Sequence, residues 1–209
     1  TDKTGTLTRN EMMVATIATR HHSFDSEGEG YAPAGVVRLA DTPVTTADFA
    51  LLGDIGHACV LCNDAALHRE SSSWSVAGDP MEGALLAFAG RLGLDLAAVQ
   101  AGWTRADAIP FDARHRYMAT LNRDHHGHAR IFVKGAPERL LAMCASERTA
   151  PGVDTPLDLD FWTAQADAIA RRGQRVLAFA TRDAAGTTLD GDELEGGLSL
   201  LGLIGLIDP

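Results

Sequence analysis

Four segments of the chain alternate apolar and polar residues or are rich in β-branched residues, and each predicts a β-strand. They are MVATIAT (13–19), YMATLNR (117–123), ARIFVKG (129–135) and QRVLAFATR (174–182). The sequence DHHGH between the second and third is typical of a turn, so 117–135 is predicted to be an antiparallel hairpin. The apolar run LSLLGLIGLI (198–207) is about half as long as the ~20 residues that span a bilayer, and it predicts a buried strand.

Helical spacing of apolar residues predicts four helices. The first covers 46–62 with Thr46 as its cap, the second covers 80–92 and begins at Pro80, and the third begins at Pro137. The fourth is LDLDFWTAQADAIARRG, which ends in two arginines and a glycine, as helix C-termini prefer.

Two segments, 23–48 and 145–160, are rich in Gly, Pro, Asp and Ser and are predicted to be surface loops. No repeat or long linker divides the chain. The pattern therefore predicts a single α+β domain with a mostly antiparallel sheet and helices packed against it.

The formal charge of −10 over 209 residues disfavours nucleic acid and anionic membrane surfaces as main partners, so a phosphate ligand would need a local basic pocket. Cys59 and Cys62 form a single CxxC beside His57. Without a second pair, two cysteines on a buried helix are favoured over a metal or redox site. Five histidines occur in turn-like sequence and are interpreted as solvated rather than metal-binding: His21, His22, His125, His126 and His128.

The N-terminal stretch DKTGTLT has the composition of a phosphoryl acceptor. Asp2 can act as a nucleophile toward phosphorus, Lys3 supplies positive charge, Gly5 permits a tight turn, and threonine hydroxyls can meet phosphate oxygens. By composition alone, the same residues are equally compatible with a solvated loop.

The seven residues DKTGTLT resemble the phosphorylation motif of P-type ATPases, membrane pumps that form an aspartyl phosphate. The resemblance implies that Asp2, Lys3 and Thr4 are catalytic, with Asp2 and Thr4 near Mg²⁺ in the full-length protein. Related haloacid dehalogenase-type phosphatases carry a second aspartate where this chain has Thr4.

The two ends of the sequence, DKTGT and DP, resemble the two points between which these pumps carry an inserted nucleotide-binding domain. The implied divisions are a hinge and phosphorylation-motif remnant at 1–8, the nucleotide-binding domain at 9–204 and a return hinge at 205–209. The implied fold is the P-type ATPase cytoplasmic N-domain fold, a twisted antiparallel sheet flanked by helices, inserted in a haloacid dehalogenase-like domain.

Four internal stretches, GDPMEGALL, IPFDARHRYM, IFVKGAPERLL and RRGQRVLAFATR, resemble the family's nucleotide-binding motifs. They imply a site formed by Glu82, Phe111, Arg116, Met118, Lys134, Gly135, Arg175 and Leu177. In it, Phe111 would stack on adenine, Glu82 and Lys134 would lie around the base, and Arg175 would steady the phosphates. The chain departs from the family pattern at Met81, Ala113 and His115, where hydroxyl or basic residues are usual.

The resemblance implies an ATP-binding domain that delivers the γ-phosphate to Asp2 in a cation pump of type II, with ATP and Mg²⁺ as cofactors. Its implied partners are the phosphorylation, actuator and transmembrane domains of the same polypeptide, with no nucleic acid and no membrane contact by this part. It would work on the cytoplasmic side of a bacterial plasma membrane. Calcium is the leading expectation among calcium, sodium, potassium and protons.

Two alternatives remain open from the sequence. One is a non-catalytic nucleotide-binding or regulatory module, and the other is a haloacid dehalogenase-type phosphatase. The pump interpretation further implies that the chain by itself binds ATP without turning it over, because the family's later acidic Mg²⁺-binding segment is not part of it.

Overall fold

The computed structural model of the chain describes residues 11–208. Asp2, Lys3 and Thr4, and the whole predicted hinge at 1–8, therefore lie outside the described residues. Within the described part, no single helix is both long and apolar enough to cross a membrane. The two helices Pro80–Arg91 and Leu96–Gly102 are long and apolar enough only when they are taken together, and they are bent by 101° relative to each other.

Strands and helices alternate irregularly along residues 11–208. The helices are α1 (Ala50–Leu61), α2 (Pro80–Arg91), α3 (Leu96–Gly102), α4 (Pro137–Met143), α5 (Leu159–Arg171) and α6 (Gly191–Leu194). The strands are β1 (Met13–Ala18), β2 (Ser23–Gly28), β3 (Gly35–Leu39), β4 (Thr42–Val44), β5 (Ala66–Glu70), β6 (Ser73–Ala77), β7 (Trp103–Ile109), β8 (Tyr117–Asp124), β9 (Ala129–Gly135), β10 (Cys144–Ala150), β11 (Val153–Pro156), β12 (Arg175–Ala184) and β13 (Leu198–Ile207).

One large sheet carries most of the strands, in the order β4-β3-β2-β1-β13-β12-β9-β8-β7, and neighbours along this path are antiparallel. The β10–β11 hairpin joins it through a parallel pairing of β10 with β13. Strands β5 and β6 form a separate hairpin. The predicted α+β class with a mostly antiparallel sheet is confirmed.

The central strand β13 is buried on both faces of the sheet, and its alternate side chains point to opposite sides. On β13, Ile204 packs in the same core cluster as Leu52 of α1 and Leu85 of α2. The adjacent Leu203 packs in a second cluster with Trp162 of α5, which lies beside α4. Helices thus cover each face, and β13 reads as a continuous apolar run because neither of its faces meets water.

Several sequence predictions are confirmed element by element. The hairpin of β8 and β9 pairs Tyr117 with Gly135, α2 begins at Pro80 and α4 begins at Pro137. Gly173 follows α5 with a positive φ of 80°, the left-handed conformation that glycine tolerates at helix ends.

The predicted start of α1 at 46 with Thr46 as cap is wrong. The helix begins at Ala50, and the residue before it, Phe49, makes no side-chain capping bond. A turn at 46–48 precedes the helix instead. In it, the backbone N–H of Thr45 donates to Asp48 (2.8 Å), and the N–H of Phe49 donates to the carbonyl of Thr45 (3.2 Å).

The prediction of surface loops at 23–48 and 145–160 is also wrong. The first segment contains β2, β3 and β4, and the second contains most of β10 and all of β11. These strands carry many exposed or half-buried side chains, and in β2 the buried Phe24 and Ser26 alternate with exposed neighbours. Their polar composition reflects solvent exposure rather than an absence of strand pairing.

Candidate functional site

A cavity of about 530 Å³ opens beside α2 and the adjoining ends of β8, β9 and β12. Its volume is within the range of small-molecule sites, roughly 300–1,000 Å³. The lining includes every nucleotide-site residue predicted from the sequence that was named above: Glu82, Phe111, Arg116, Met118, Lys134, Gly135, Arg175 and Leu177. The fold therefore brings four separate sequence motifs to one place.

Sheet pairing explains why three of the motifs meet. In the register of β8 and β9, Met118 lies opposite Lys134. Strand β12 pairs with the other edge of β9, so Arg175 and Leu177, two residues apart on β12, reach the same cavity. Side chains two positions apart on a strand point to the same face.

Glu82 enters the cavity from the first turn of α2. Asp79 caps this helix by accepting from the backbone N–H groups of Met81 (2.8 Å) and Glu82 (3.2 Å), and Pro80 occupies the first helical position. A glutamate favours this position for helix stability alone. Here its carboxylate also has a partner across the cavity.

That partner is Lys134, whose side-chain ammonium is buried at the floor of the cavity; the residue is only 8% exposed. Its Nζ lies 2.6 Å from Oε2 of Glu82 and 3.4 Å from Sδ of Met118, and it also donates to the carbonyl oxygen of Cys62. Three acceptors match the three donors of an ammonium group. Lys134 is therefore a fixed positive charge whose position is set from three directions.

The turn after α1 supports this pair from behind. The Asn63 amide donates to the carbonyls of Cys59 and Glu82, both at 2.9 Å, and the backbone N–H of Asp64 donates to Oε2 of Glu82 at 3.1 Å. The sequence prediction missed these supporting residues. The bond from the backbone N–H of Asp64 could not be predicted from the sequence, because every residue except proline carries the same backbone donor.

Phe111 is 63% exposed, an unusual environment for a phenylalanine, and it stands on the loop 110–116 at the edge of the cavity. The loop has internal bonds: Arg116 N–H donates to the Asp112 carbonyl (2.7 Å), and the Asp112 carboxylate accepts from the N–H of Arg114 (2.7 Å). The ring is thus presented to solvent by an ordered turn rather than packed in the core.

Two arginines lie at the cavity mouth with different surroundings. Nη1 of Arg116 lies 2.6 Å from Oε1 of Glu138, which is outside the cavity lining. Arg175 is exposed and makes no ion pair within residues 11–208. Arg114 forms its ion pair with Asp112 instead of lining the cavity.

The departures from the family pattern have separate local consequences. Met81 lines the cavity with a thioether, a weak hydrogen-bond acceptor, where a hydroxyl is usual. His115 hydrogen-bonds the carbonyl of Pro110 at 3.0 Å and packs against the ring of Tyr117, so it holds the loop together. Ala113 is exposed and outside the lining.

Both cysteines of the CxxC are fully buried: Cys59 lies within α1, and Cys62 is the residue that directly follows it. Burial raises the pKa of both thiols. Within residues 11–208, no group of three or more metal-ligating side chains could hold a metal ion. The five histidines of the turn-like segments are exposed, as predicted.

Comparison with known proteins identifies the family of the chain. The model of the family described as P-type ATPase, cytoplasmic domain N, matches residues 52–209. The chain is 41% identical over 213 residues to a probable cation-transporting ATPase F of Mycobacterium tuberculosis, with 100% of the chain and 23% of that protein covered. It is 37% identical over 222 residues to the cation-transporting ATPase pma1 of Synechocystis, again with 100% of the chain and 24% of the relative covered.

A calcium-transporting ATPase of Bacillus subtilis is 30% identical over 213 residues, with 100% of the chain and 24% of that protein covered. The chain spans about a quarter of the length of these curated relatives. The family match covers most of the chain and includes all four cavity motifs. The chain therefore belongs to the family of P-type ATPase cytoplasmic N domains.

Proposed function

We propose that this chain binds ATP in the cavity between α2 and strands β8, β9 and β12. The observation that carries the proposal is the combination found there: an exposed aromatic ring at the edge, a buried lysine paired with a half-buried glutamate on the floor, and two arginines at the mouth. An apolar cavity with a few convergent polar groups is the usual form of a small-molecule site.

The chemistry of each region suits one part of ATP. Phe111 offers a ring face on which adenine can stack, and Met118 and Leu177 add apolar contacts. The carboxylate of Glu82 can accept from the exocyclic amine of adenine. The guanidinium groups of Arg116 and Arg175 suit phosphate oxygens, because their donors form a planar fork.

In the full-length protein, we propose, the bound nucleotide is brought to Asp2, which accepts the γ-phosphate and so drives cation transport. Lys3 would contribute positive charge, and Asp2 and Thr4 would hold Mg²⁺. All three residues lie outside residues 11–208, so the described part supplies only groups that bind the nucleotide. The partners are then the other domains of the same polypeptide, at the cytoplasmic face of a bacterial membrane, with calcium as the first ion to test.

The proposed domain division has some support from topology. Met13 of β1 pairs with Ile207 of β13, so the two ends of the described chain leave the sheet side by side. Adjacent ends are the arrangement that permits one domain to be inserted into another. The hinge at 1–8 and the nucleotide-binding domain at 9–204 remain proposals, whereas residues 205–207 of the proposed return hinge at 205–209 belong to β13, in which Leu206 pairs with Val14 of β1 and Arg175 of β12.

Titration of the chain with ATP tests the binding proposal. Phe111→Ala should weaken ATP binding about 5- to 150-fold, since stacking on an aromatic ring contributes ~1–3 kcal/mol. Isothermal titration calorimetry and amide chemical shifts would measure it. Leu159→Ala is the matched control, because Leu159 is also an exposed large apolar residue (52%) but lies on α5 outside the cavity. Equal affinities for both variants would reject the site.

The two alternatives predict different results. A haloacid dehalogenase-type phosphatase should release phosphate from a simple aryl phosphate, with activity lost in Asp2→Asn. A non-catalytic regulatory module that does not use nucleotides should show no change in the amide signals of Phe111 and Lys134 on addition of ATP. A non-catalytic nucleotide-binding module should bind ATP there but pass no phosphate to Asp2 in the full-length protein. We expect ATP binding at these residues and no ester hydrolysis.

A further inference from the structure

One basic residue of the cavity mouth is held by a carboxylate that is not part of the cavity. Arg116 forms a close ion pair with Glu138, the second residue of α4, and both side chains are accessible, at 46% and 64% exposed. We propose that Glu138 is an internal competitor for the phosphate chain, and that by occupying Arg116 it limits the affinity of the site for phosphate-bearing nucleotides. This inference rests on the proposed ATP-binding function.

The backbone of Arg116 is held by hydrogen bonds, which fixes the position of its Cα and Cβ atoms. Its φ of 58° is in the left-handed region, which is uncommon for a residue with a side chain. Its N–H donates to the Asp112 carbonyl (2.7 Å), and its own carbonyl accepts from the N–H of Ala136 (3.2 Å). The guanidinium can therefore exchange partners by rotating its side chain, without moving the loop.

Helix α4 is tied to the same loop, which keeps Glu138 near Arg116. The next residue on α4, Arg139, donates to the carbonyl of His115 (3.0 Å) and forms an ion pair with Glu195. Its guanidinium also lies 5.4 Å from the ring centre of Tyr117. The Glu138 carboxylate consequently stays close to the cavity mouth whether or not a ligand is present.

The other cations of the cavity do not face the same competition. The partner of Lys134 is Glu82, which itself lines the cavity and belongs to the floor. Arg175 makes no ion pair within the described residues and is free to meet an anion. Among the cavity cations of residues 11–208, Arg116 alone must break an ion pair with a carboxylate from outside the cavity before it can bind a phosphate.

An accessible ion pair contributes little free energy, ~0–1 kcal/mol, so its displacement should cost a ligand no more than about fivefold in affinity. A ligand that lacks phosphates does not need Arg116 and should not be affected. Glu138 would thus lower the preference of the site for ATP over adenosine.

The test compares Glu138→Gln with the unaltered 209-residue chain by calorimetric titration of ATP, ADP and adenosine at low ionic strength. We expect Glu138→Gln to bind ATP and ADP about two- to fivefold more tightly, with adenosine unchanged. Asp160→Asn is the matched control, because Asp160 is also an exposed carboxylate at the second position of its helix, α5, away from the cavity. It should leave all three affinities unchanged.

Arg116→Gln provides the decisive comparison. This variant should bind ATP more weakly, and adding Glu138→Gln to it should give no further gain, since the competitor then has nothing to hold. A gain that persists without Arg116, an equal gain for adenosine, or a loss of ATP affinity in Glu138→Gln would each overturn the inference. Absence of ATP binding by the unaltered chain would instead reject the proposed function.

Discussion

At the scale of single residues, Gly135 is a cavity position that has no room for a side chain. A Cβ added there would overlap the carbonyl oxygen of Arg116 and approach the Cα of Tyr117 to 2.9 Å. Both are backbone atoms, which cannot rotate away as a side chain can. Because Gly135 has no side chain, β9 can lie directly against the backbone of Arg116 and Tyr117.

We expect Gly135→Ala to lower the free energy of unfolding by about 1–3 kcal/mol and to weaken ATP binding, because the backbone around Arg116 must shift. Thermal unfolding and ATP titration measure the two effects. Gly102→Ala is the control, since nothing lies within 4 Å of a Cβ at Gly102 and no strained backbone conformation occurs there. If Gly135→Ala had the same stability and the same ATP affinity as Gly102→Ala, the close approach at Gly135 would be unimportant for both folding and binding.

The sequence was sufficient to name eight of the residues that line the cavity, but not those that hold them in place. Phe111, Glu82 and Lys134 occur in motifs whose chemistry is recognisable. Glu138 belongs to one of the same motifs, yet its contact with Arg116 depends on the left-handed backbone at Arg116, which the residue type does not favour. Such a contact follows from loop geometry and is not predictable from spacing.

At the scale of elements, the turn after α1 joins that helix to α2 through one buried side chain. Asn63 uses both amide hydrogens and its oxygen: it donates to the carbonyls of Cys59 and Glu82 and accepts from the N–H of Ala65 at 2.8 Å. Glu82 and the Cys62 carbonyl, which hold Lys134, are therefore positioned by the same turn.

Asn63→Ala should cost about 1–3 kcal/mol of stability through unsatisfied buried groups, and it should also weaken ATP binding because Lys134 loses its fixed position. Asn122→Ala is the control: Asn122 is also buried and donates to carbonyls of Thr120 and Arg130, but it lies outside the cavity lining. Affinities should be measured below both unfolding transitions. Equal ATP affinities for the two variants would contradict a positioning role.

The elements that the sequence predicted well are those with a strong local signal. Proline at the starts of α2 and α4 and the unbroken apolar run of β13 are such signals. Strands β2, β3 and β11 were interpreted as loops because long-range pairing, not local composition, makes them strands. Strand propensity depends on neighbours in the sheet, which a single segment does not contain.

At the scale of the whole molecule, the carboxylates with altered pKa values share one direction. Hydrogen bonds from Arg114 and Arg139 hold the pKa values of Asp112 and Glu195 below their ordinary range. Burial raises the pKa of Asp154, but bonds from Arg148 and Ser199 lower it more. Groups with depressed pKa values in the folded state stabilise it above their unfolded pKa, so stability should fall as the pH drops below about 4.

Asp154→Asn tests this acid sensitivity at a contact that joins three strands. Asp154 on β11 accepts from Nε of Arg148 on β10 (3.0 Å) and from the hydroxyl of Ser199 on β13 (2.8 Å), and the Arg148 side chain is only 9% exposed. Because the Asp154 carboxylate is itself accessible, we expect a loss of only about 1 kcal/mol at pH 7.

The pH dependence separates a charge effect from a simple packing effect. The depressed pKa of Asp154 makes its contribution complete above the unfolded value near 4, and protonation removes the contribution as the pH falls through the folded value. The stability difference between the unaltered chain and Asp154→Asn should therefore shrink in urea unfolding at pH 3 relative to pH 7. Asp160→Asn, which removes an exposed carboxylate without a described ion pair, should differ little from the unaltered chain at either pH. A difference for Asp154→Asn that stayed constant down to pH 3 would mean that the contact among β10, β11 and β13 does not depend on the Asp154 charge.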